Sequence, residues 1–170
     1  MSDGNAAPED SAAFRRRQPN GSESRVGRAL RAQLLPGEVV LDGVRFSDPR
    51  HGDVEVDFLV LFPDAGVAAI EVKGGSVSFA DGQWLTENKG RSRRIDPVRQ
   101  ARGAKNALRR YLDRQPDWHH GLIRSEWFIA MPDTTVVADM GPEARRELLL
   151  GADDLGDIRD RLRAVLTSSL

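Results

Sequence analysis

The chain contains no cysteine, which excludes disulfide bonds, a thiol nucleophile and every zinc or iron–sulfur site built on cysteine ligands. This absence leaves the compartment undecided. Histidine is also scarce, with only His51, His119 and His120 present. The adjacent pair lacks the i, i+4 spacing by which one helix presents two metal ligands. We therefore predict a solvated loop without a metal role at that pair.

Long hydrophobic runs are missing as well. No stretch approaches the ~20 apolar residues that a membrane span needs. The arginines near the N-terminus are not followed by the apolar stretch of a secretion signal. Residues 1–20 are rich in Ser, Ala, Asp, Gly and Pro, which predicts a disordered tail. We expect a soluble cytoplasmic protein with one domain over residues 21–170, a length that buries a core without disulfides or metals.

The two signs of charge nearly cancel, since the net charge is −1 over 170 residues. Any nucleic-acid surface must therefore be a local patch. Residues 89–114 hold ten basic and two acidic residues, a local charge of +8. We predict a phosphate-backbone footprint on a basic loop, 89–94, that leads into a basic helix; the alternative is an exposed helix face. The predicted contacts are Lys89, Arg91, Arg93, Arg94, Arg99, Arg102 and Lys105.

Hydrophobic periodicity predicts the remaining elements. A short amphipathic helix over 23–34 precedes strands over 38–46, 54–62 and 67–73 and a small hairpin made by SVSF and QWLTEN. Asp96 as N-cap and Pro97 at the first helical position predict a long helix to about Arg114. A strand over 125–132 and a C-terminal amphipathic helix follow. This order predicts a mixed α/β domain with a central sheet.

Two of the predicted strands interrupt an apolar run with an acid, Asp57 in VEVDFLVLF and Glu71 in AAIEVK. Side chains alternate along a strand, so Glu71 and Lys73 share a face. If residues 64–66 form the turn, Asp57 lies opposite Lys73; a register shifted by two places it opposite Glu71. Both registers put the three side chains on one face, whereas a slip by one residue would separate the carboxylates.

This arrangement points to metal-dependent phosphodiester hydrolysis. Two close carboxylates repel each other, and a hard divalent ion such as Mg²⁺ resolves that repulsion. Lys73 would orient the attacking water or offset transition-state charge, and Glu23 on the first helix could approach the metal. Gln100 could reach water or phosphate from the following helix. The structural alternatives are an ion pair from Asp57 or Glu55 to Lys73, a helix-dipole contact for Glu23 and a solvated Gln100.

These features together resemble the NERD (nuclease-related) domain, a branch of the PD-(D/E)XK nuclease superfamily. The matching stretches are GSESRVGRAL, VEVDFLVLFPDAGVAAIEVKGG, the tryptophan of GQW and DPVRQARGAKNAL. The resemblance implies a restriction-endonuclease-like α/β fold with a mixed central sheet flanked by helices. It implies Mg²⁺ or Mn²⁺ held by Asp57, Glu71 and the carbonyl of Val72, with Lys73 catalytic and Glu23 and Gln100 accessory. The implied substrate is nucleic acid, and we expect DNA.

Two other functions fit the same residues. One is a module of this fold that binds nucleic acid or recruits a partner with little turnover. The other is a metal-dependent hydrolase of a smaller phosphate ester, which the +8 segment disfavours because such a substrate has few phosphates to contact. A homodimer that addresses two strands, and a helicase or other DNA-processing partner that delivers the substrate, stay open.

Overall fold

The computed structural model describes residues 20–50, 52–119 and 121–168. The predicted tail over residues 1–20 lies outside the described residues apart from Asn20, as do His51 and His120. Among the described residues, no helix combines the length and the apolar character needed to cross a membrane.

The described residues form three α-helices, eight β-strands and two short 3-10 helices. The helices are α1 (Gly21–Gln33), α2 (Pro97–Asp113) and α3 (Ile158–Ser168). The strands are β1 (Val39–Asp48), β2 (Gly52–Phe62), β3 (Gly66–Val72), β4 (Ser76–Ala80), β5 (Gln83–Asn88), β6 (Arg91–Ile95), β7 (Ser125–Met131) and β8 (Leu149–Gly151). The 3-10 helices are Arg146–Leu148 and Ala152–Asp157.

The central sheet has five strands in the order β1-β2-β3-β7-β8. β1, β2 and β3 are antiparallel, whereas β7 is parallel to both β3 and β8. Alternation along β3 separates the two faces, since Ile70 packs in one hydrophobic cluster with Leu30 of α1 and Leu162 of α3. Ala69 packs in the other cluster with Leu108 of α2. The mixed sheet flanked by helices confirms the restriction-endonuclease-like α/β class.

The turn between β2 and β3 differs from the turn over residues 64–66. Phe62 pairs with Gly66 and Leu59 with Ala69, so the turn consists of residues 63–65. Gly66 has a φ of 123° and lies so close to β7 that a Cβ there would be 2.2 Å from the carbonyl oxygen of Arg124. Gly66 is therefore a residue of β3 in close contact with the residue that precedes β7. Of the two registers considered, the chain adopts the one shifted by two residues.

The basic segment is also more regular than the sequence indicates. The predicted loop over residues 89–94 is wrong, because only Lys89 and Gly90 form a turn and Arg91–Ile95 is strand β6 of a second sheet, β4-β5-β6. β6 lies at the edge of that sheet, and its arginines are exposed, so the charge stays in water. The hairpin of β4 and β5 is confirmed. Strand β8 was not predicted, since three buried residues carry no periodicity of their own.

Candidate active site

The candidate site lies where β2 and β3 separate. Their ladder ends at the pair Phe58 and Ile70, so the next positions, Asp57 and Glu71, face each other across the gap. The backbone N–H of Val72 donates a hydrogen bond to Oδ2 of Asp57 at 2.8 Å. The carboxylate of Asp57 thereby bridges the point of separation and is held between the two strands.

Glu71 near the end of β3 and Lys73 directly after it lie on the same face of the chain, and we call residues 66–73 the β3 segment. Nζ of Lys73 donates to Oε1 of Glu71 at 2.7 Å, and the two side chains are only 15% and 14% exposed. The backbone of Lys73 is anchored because its N–H donates to the carbonyl of Ala130 in β7 at 2.8 Å. Lys73 thus pairs within its own strand, while Glu55 pairs with Arg45 at 2.9 Å instead.

Glu23 is in the first turn of α1 and closes a capping box with Asn20. Its Oε1 accepts a hydrogen bond from Nδ2 of Asn20 at 2.7 Å, and its backbone N–H donates to Oδ1 of Asn20 at 2.9 Å. Such a box satisfies N–H groups that a helix start leaves unpaired. The side chain is nevertheless buried at the site, so one carboxylate stabilises α1 and also contributes charge to its neighbours.

The five predicted catalytic side chains line one cleft of about 820 Å³, which we call the acidic cleft. They come from four elements: Glu23 from α1, Asp57 from β2, Glu71 and Lys73 from the β3 segment, and Gln100 from α2. Packing of helices on both sides of the sheet edge brings these distant residues together. The acidic cleft therefore brings together every side chain that the predicted hydrolysis would use.

The predicted nucleic-acid contacts divide into two sets, and the first set is near the cleft. Arg93 and Arg99 line the acidic cleft. Arg94 lies beside them on a neighbouring cavity that also includes Arg93 and Arg99. Arg93 and Arg99 are therefore placed to meet a polyanion that reaches the carboxylates, whereas the side chain of Arg94 is on the opposite face of β6 from Arg93.

The second set of predicted contacts lies elsewhere. Arg102 pairs with Glu143 at 3.0 Å, and Lys105 pairs with Glu126 at 3.4 Å. Lys89 lies in the turn between β5 and β6, where Arg91 begins β6, and neither lines the acidic cleft. The +8 segment is thus not one continuous surface, because its charges spread over a sheet edge and several sides of a helix.

The carboxylate of Asp57 lies in an environment that disfavours its ionised form. Burial, and then the charges of Glu71 and Glu23, raise the pKa of Asp57 to about 7, although the Val72 N–H and the Lys73 ammonium act in the opposite direction. A carboxyl with this pKa is protonated in about half of the molecules at neutral pH. The site therefore carries more negative charge than its own cations neutralise.

The donor set suits a hard divalent cation. Asp57 and Glu71 offer carboxylate oxygens, and the Val72 carbonyl points the same way as its N–H, toward Asp57, because both groups of an extended residue face one side. The described residues contain no cluster of three or more His, Asp or Glu side chains arranged as a metal site. Two carboxylates, one carbonyl and waters are the ligands that Mg²⁺ commonly takes.

Asp133 is a residue next to the cleft that supports two of its elements and that the sequence pattern did not single out. Its Oδ2 accepts from Oγ of Ser22 at 3.1 Å and from the N–H of Gly75 at 3.0 Å, and Arg25 pairs with its Oδ1. These contacts tie the first turn of α1 to the chain that leaves β3 after Lys73. The available signal was an acid directly after a buried strand, in the segment Met-Pro-Asp.

We expect Asp133→Ala to lower the free energy of unfolding by about 1–3 kcal/mol, because it removes the acceptor of three hydrogen bonds at once. Urea denaturation measures this loss. Asp133→Asn keeps one carbonyl oxygen and should lose less, and Asp153→Ala, at an exposed position, should change stability by less than about 0.5 kcal/mol. Equal stability of the two alanine variants would show that Asp133 does not hold α1 against the β3 segment.

The sequence model of the nuclease-related domain (NERD) matches residues 18–128, a span that contains every residue of the acidic cleft. No curated protein and no solved structure matches the chain.

Proposed function

The chain belongs to the nuclease-related domain family, and from that premise we propose that it hydrolyses phosphodiester bonds of DNA in a reaction that requires Mg²⁺ or Mn²⁺. The observation that carries this proposal is the position of Asp57 opposite Glu71, with Lys73 beside them in one cleft. The excess of carboxylates supports a cation requirement, and Arg93 and Arg99 on the rim support a polyanionic substrate.

Asp57, Glu71 and the Val72 carbonyl would hold the cation. When bound, it would polarise the phosphate and lower the pKa of a water molecule. In this proposal Lys73 donates a hydrogen bond to the attacking water or to a phosphate oxygen and offsets the charge that develops there. Its pairing with Glu71 at 2.7 Å holds the ammonium beside that carboxylate. Gln100 acts from α2 as a neutral donor and acceptor that positions the water.

The test uses the purified full chain with supercoiled, linear and single-stranded DNA, in Mg²⁺, in Mn²⁺ and in excess chelator. We expect cleavage only with the divalent ion, and a loss of about a hundredfold or more in Lys73→Ala, because one positioned donor at developing charge is worth that much. DNA binding by Lys73→Ala should persist. A variant prepared in the same way also controls for contaminating nucleases. Cleavage that survives both chelation and Lys73→Ala would reject the assignment.

The second candidate is a binding module of this fold with little turnover. Two contacts favour it, since the Lys73 ammonium already pairs with Glu71 and the Glu23 carboxylate already serves the capping box. Such a module would bind DNA with a steep salt dependence, because several phosphates are contacted, and would cut no substrate in any divalent ion. The cleavage assay separates the two candidates directly.

A further inference from the structure

A second cavity of about 800 Å³ adjoins the acidic cleft, and we call it the basic cavity. The two share four lining side chains, Lys73, Arg93, Arg99 and Gln100, which form the boundary between them. A substrate whose phosphate lies at Lys73 can therefore extend from one cavity into the other.

The two cavities differ in charge. Five acidic and three basic side chains line the acidic cleft, whereas four basic and two acidic side chains line the basic cavity. Both acids of the basic cavity are already engaged, Asp96 with Arg99 at 2.9 Å and Glu143 with Arg102 at 3.0 Å. The positive charge of Arg93, which shares a face of β6 with Ile95, is therefore available for a phosphate.

Apolar side chains form the other wall of the basic cavity. Phe79 and Trp84 lie with ring centroids 5.4 Å apart, and Ile95 and Met140 extend the surface. A wall that combines aromatic rings with arginines matches the way in which proteins bind unpaired bases and their phosphates. The volume is in the range of sites that enclose small ligands, which leaves room for one or two nucleotides and not for a stacked, paired duplex.

The wall is completed by residues 140–144, which lie beyond the span 18–128 that the family model matches. This segment is packed closely on the second sheet, since a Cβ at Gly141 would come within 2.6 Å of the Phe79 ring. The basic cavity is thus a preformed feature of this chain that joins the family domain to a later segment.

We propose that the basic cavity binds an unpaired nucleotide next to the scissile phosphate, so that the substrate is a single strand, or a single-stranded segment of a longer DNA, and not intact duplex. Arg93 contacts the backbone phosphate, and the base packs against Phe79 and Met140. The consequence for cleavage rests on the proposed function, but the consequence for binding does not.

The test measures the binding of one fluorescein-labelled oligonucleotide by fluorescence anisotropy, single-stranded or annealed to its complement. Ca²⁺ is present as a hard cation that takes the same oxygen ligands. We expect the dissociation constant of the single strand to be at least about tenfold lower than that of the duplex, because only unpaired bases reach the wall. Arg93→Glu, which reverses a charge on the lining of the basic cavity, should raise the single-strand dissociation constant at least about tenfold.

Arg28→Glu is the matched control, because it makes the same charge change at an exposed position of α1 that lines neither cavity. Arg93→Gln tests the same point with a smaller perturbation if the reversal impairs folding. Equal affinity for single strand and duplex, or equal effects of Arg93→Glu and Arg28→Glu, would overturn the inference. Failure to cleave any DNA would instead count against the proposed function, while the binding preference still decides the inference.

Discussion

Asp57→Asn is expected to reduce divalent-dependent cleavage at least about a thousandfold and, without divalent ions, to make the protein more stable than the wild type. The first effect follows because the cation supplies several kcal/mol of transition-state stabilisation, and the amide is a poor ligand for it. The second follows because burial and the Glu71 and Glu23 charges penalise the ionised Asp57. Asparagine removes that charge and can still accept the Val72 N–H.

The pH dependence has a definite sign. The folded-state pKa of Asp57, about 7, lies above the ordinary aspartate value of 3.8, so between these values the folded protein holds more protons than the unfolded chain. Ionisation of Asp57 therefore lowers stability as pH rises from about 4 to 7. We expect the advantage of Asp57→Asn to be small at pH 4 and to reach about 1–3 kcal/mol at pH 8, from the energy of a pKa shift.

Thermal and urea unfolding of both proteins, with and without Mg²⁺, measure this prediction. Added Mg²⁺ should stabilise the wild type, by about 2.7 kcal/mol at a hundredfold excess over its dissociation constant, and should leave Asp57→Asn unchanged. Asp117→Asn, an exposed substitution of the same kind, should match the wild type in cleavage and stability. A variant that is no more stable than the wild type at pH 8 would contradict the raised pKa.

Gly66→Ala is expected to lower the free energy of unfolding by about 3 kcal/mol or more. The new Cβ would lie 2.2 Å from the Arg124 carbonyl oxygen, which also accepts the N–H of Val67 at 2.9 Å, and neither backbone can give way without breaking the β3–β7 pairing. The φ of 123° adds a conformational cost for any residue with a side chain.

Gly82→Ala is the matched control, because Gly82 also has a positive φ, 73°, and has open space around its Cβ position. It should cost about 1–2 kcal/mol, the conformational cost alone. Urea denaturation gives both values. If the two variants lose the same stability, the contact of Gly66 with the Arg124 carbonyl does not constrain the turn between β2 and β3. That contact would then not account for the register that sets Asp57 opposite Glu71.

The elements with strong local signals were predictable. Asp96 and Pro97 mark the start of α2, and the acids in two apolar strands mark the site, because caps and alternation depend on a few neighbouring residues. The β2–β3 register was not predictable, since a shift by two residues preserves every face. Strand β6 was not predictable either. Its own residues lack apolar content, and it is a strand because it pairs with β5.

The amino-acid sequence alone determined that Glu71 and Lys73 share one face, since the period of a strand is a property of the chain itself. Only the tertiary structure decided that Asp57 lies on that face, opposite Glu71, and that Glu23 and Gln100 reach the same cleft. It also decided that Asp133 holds α1 against the segment that follows β3. It also decided that residues 140–144 complete the basic cavity. These contacts join segments far apart in the chain, and their positions follow from burying one shared core, which no local pattern encodes.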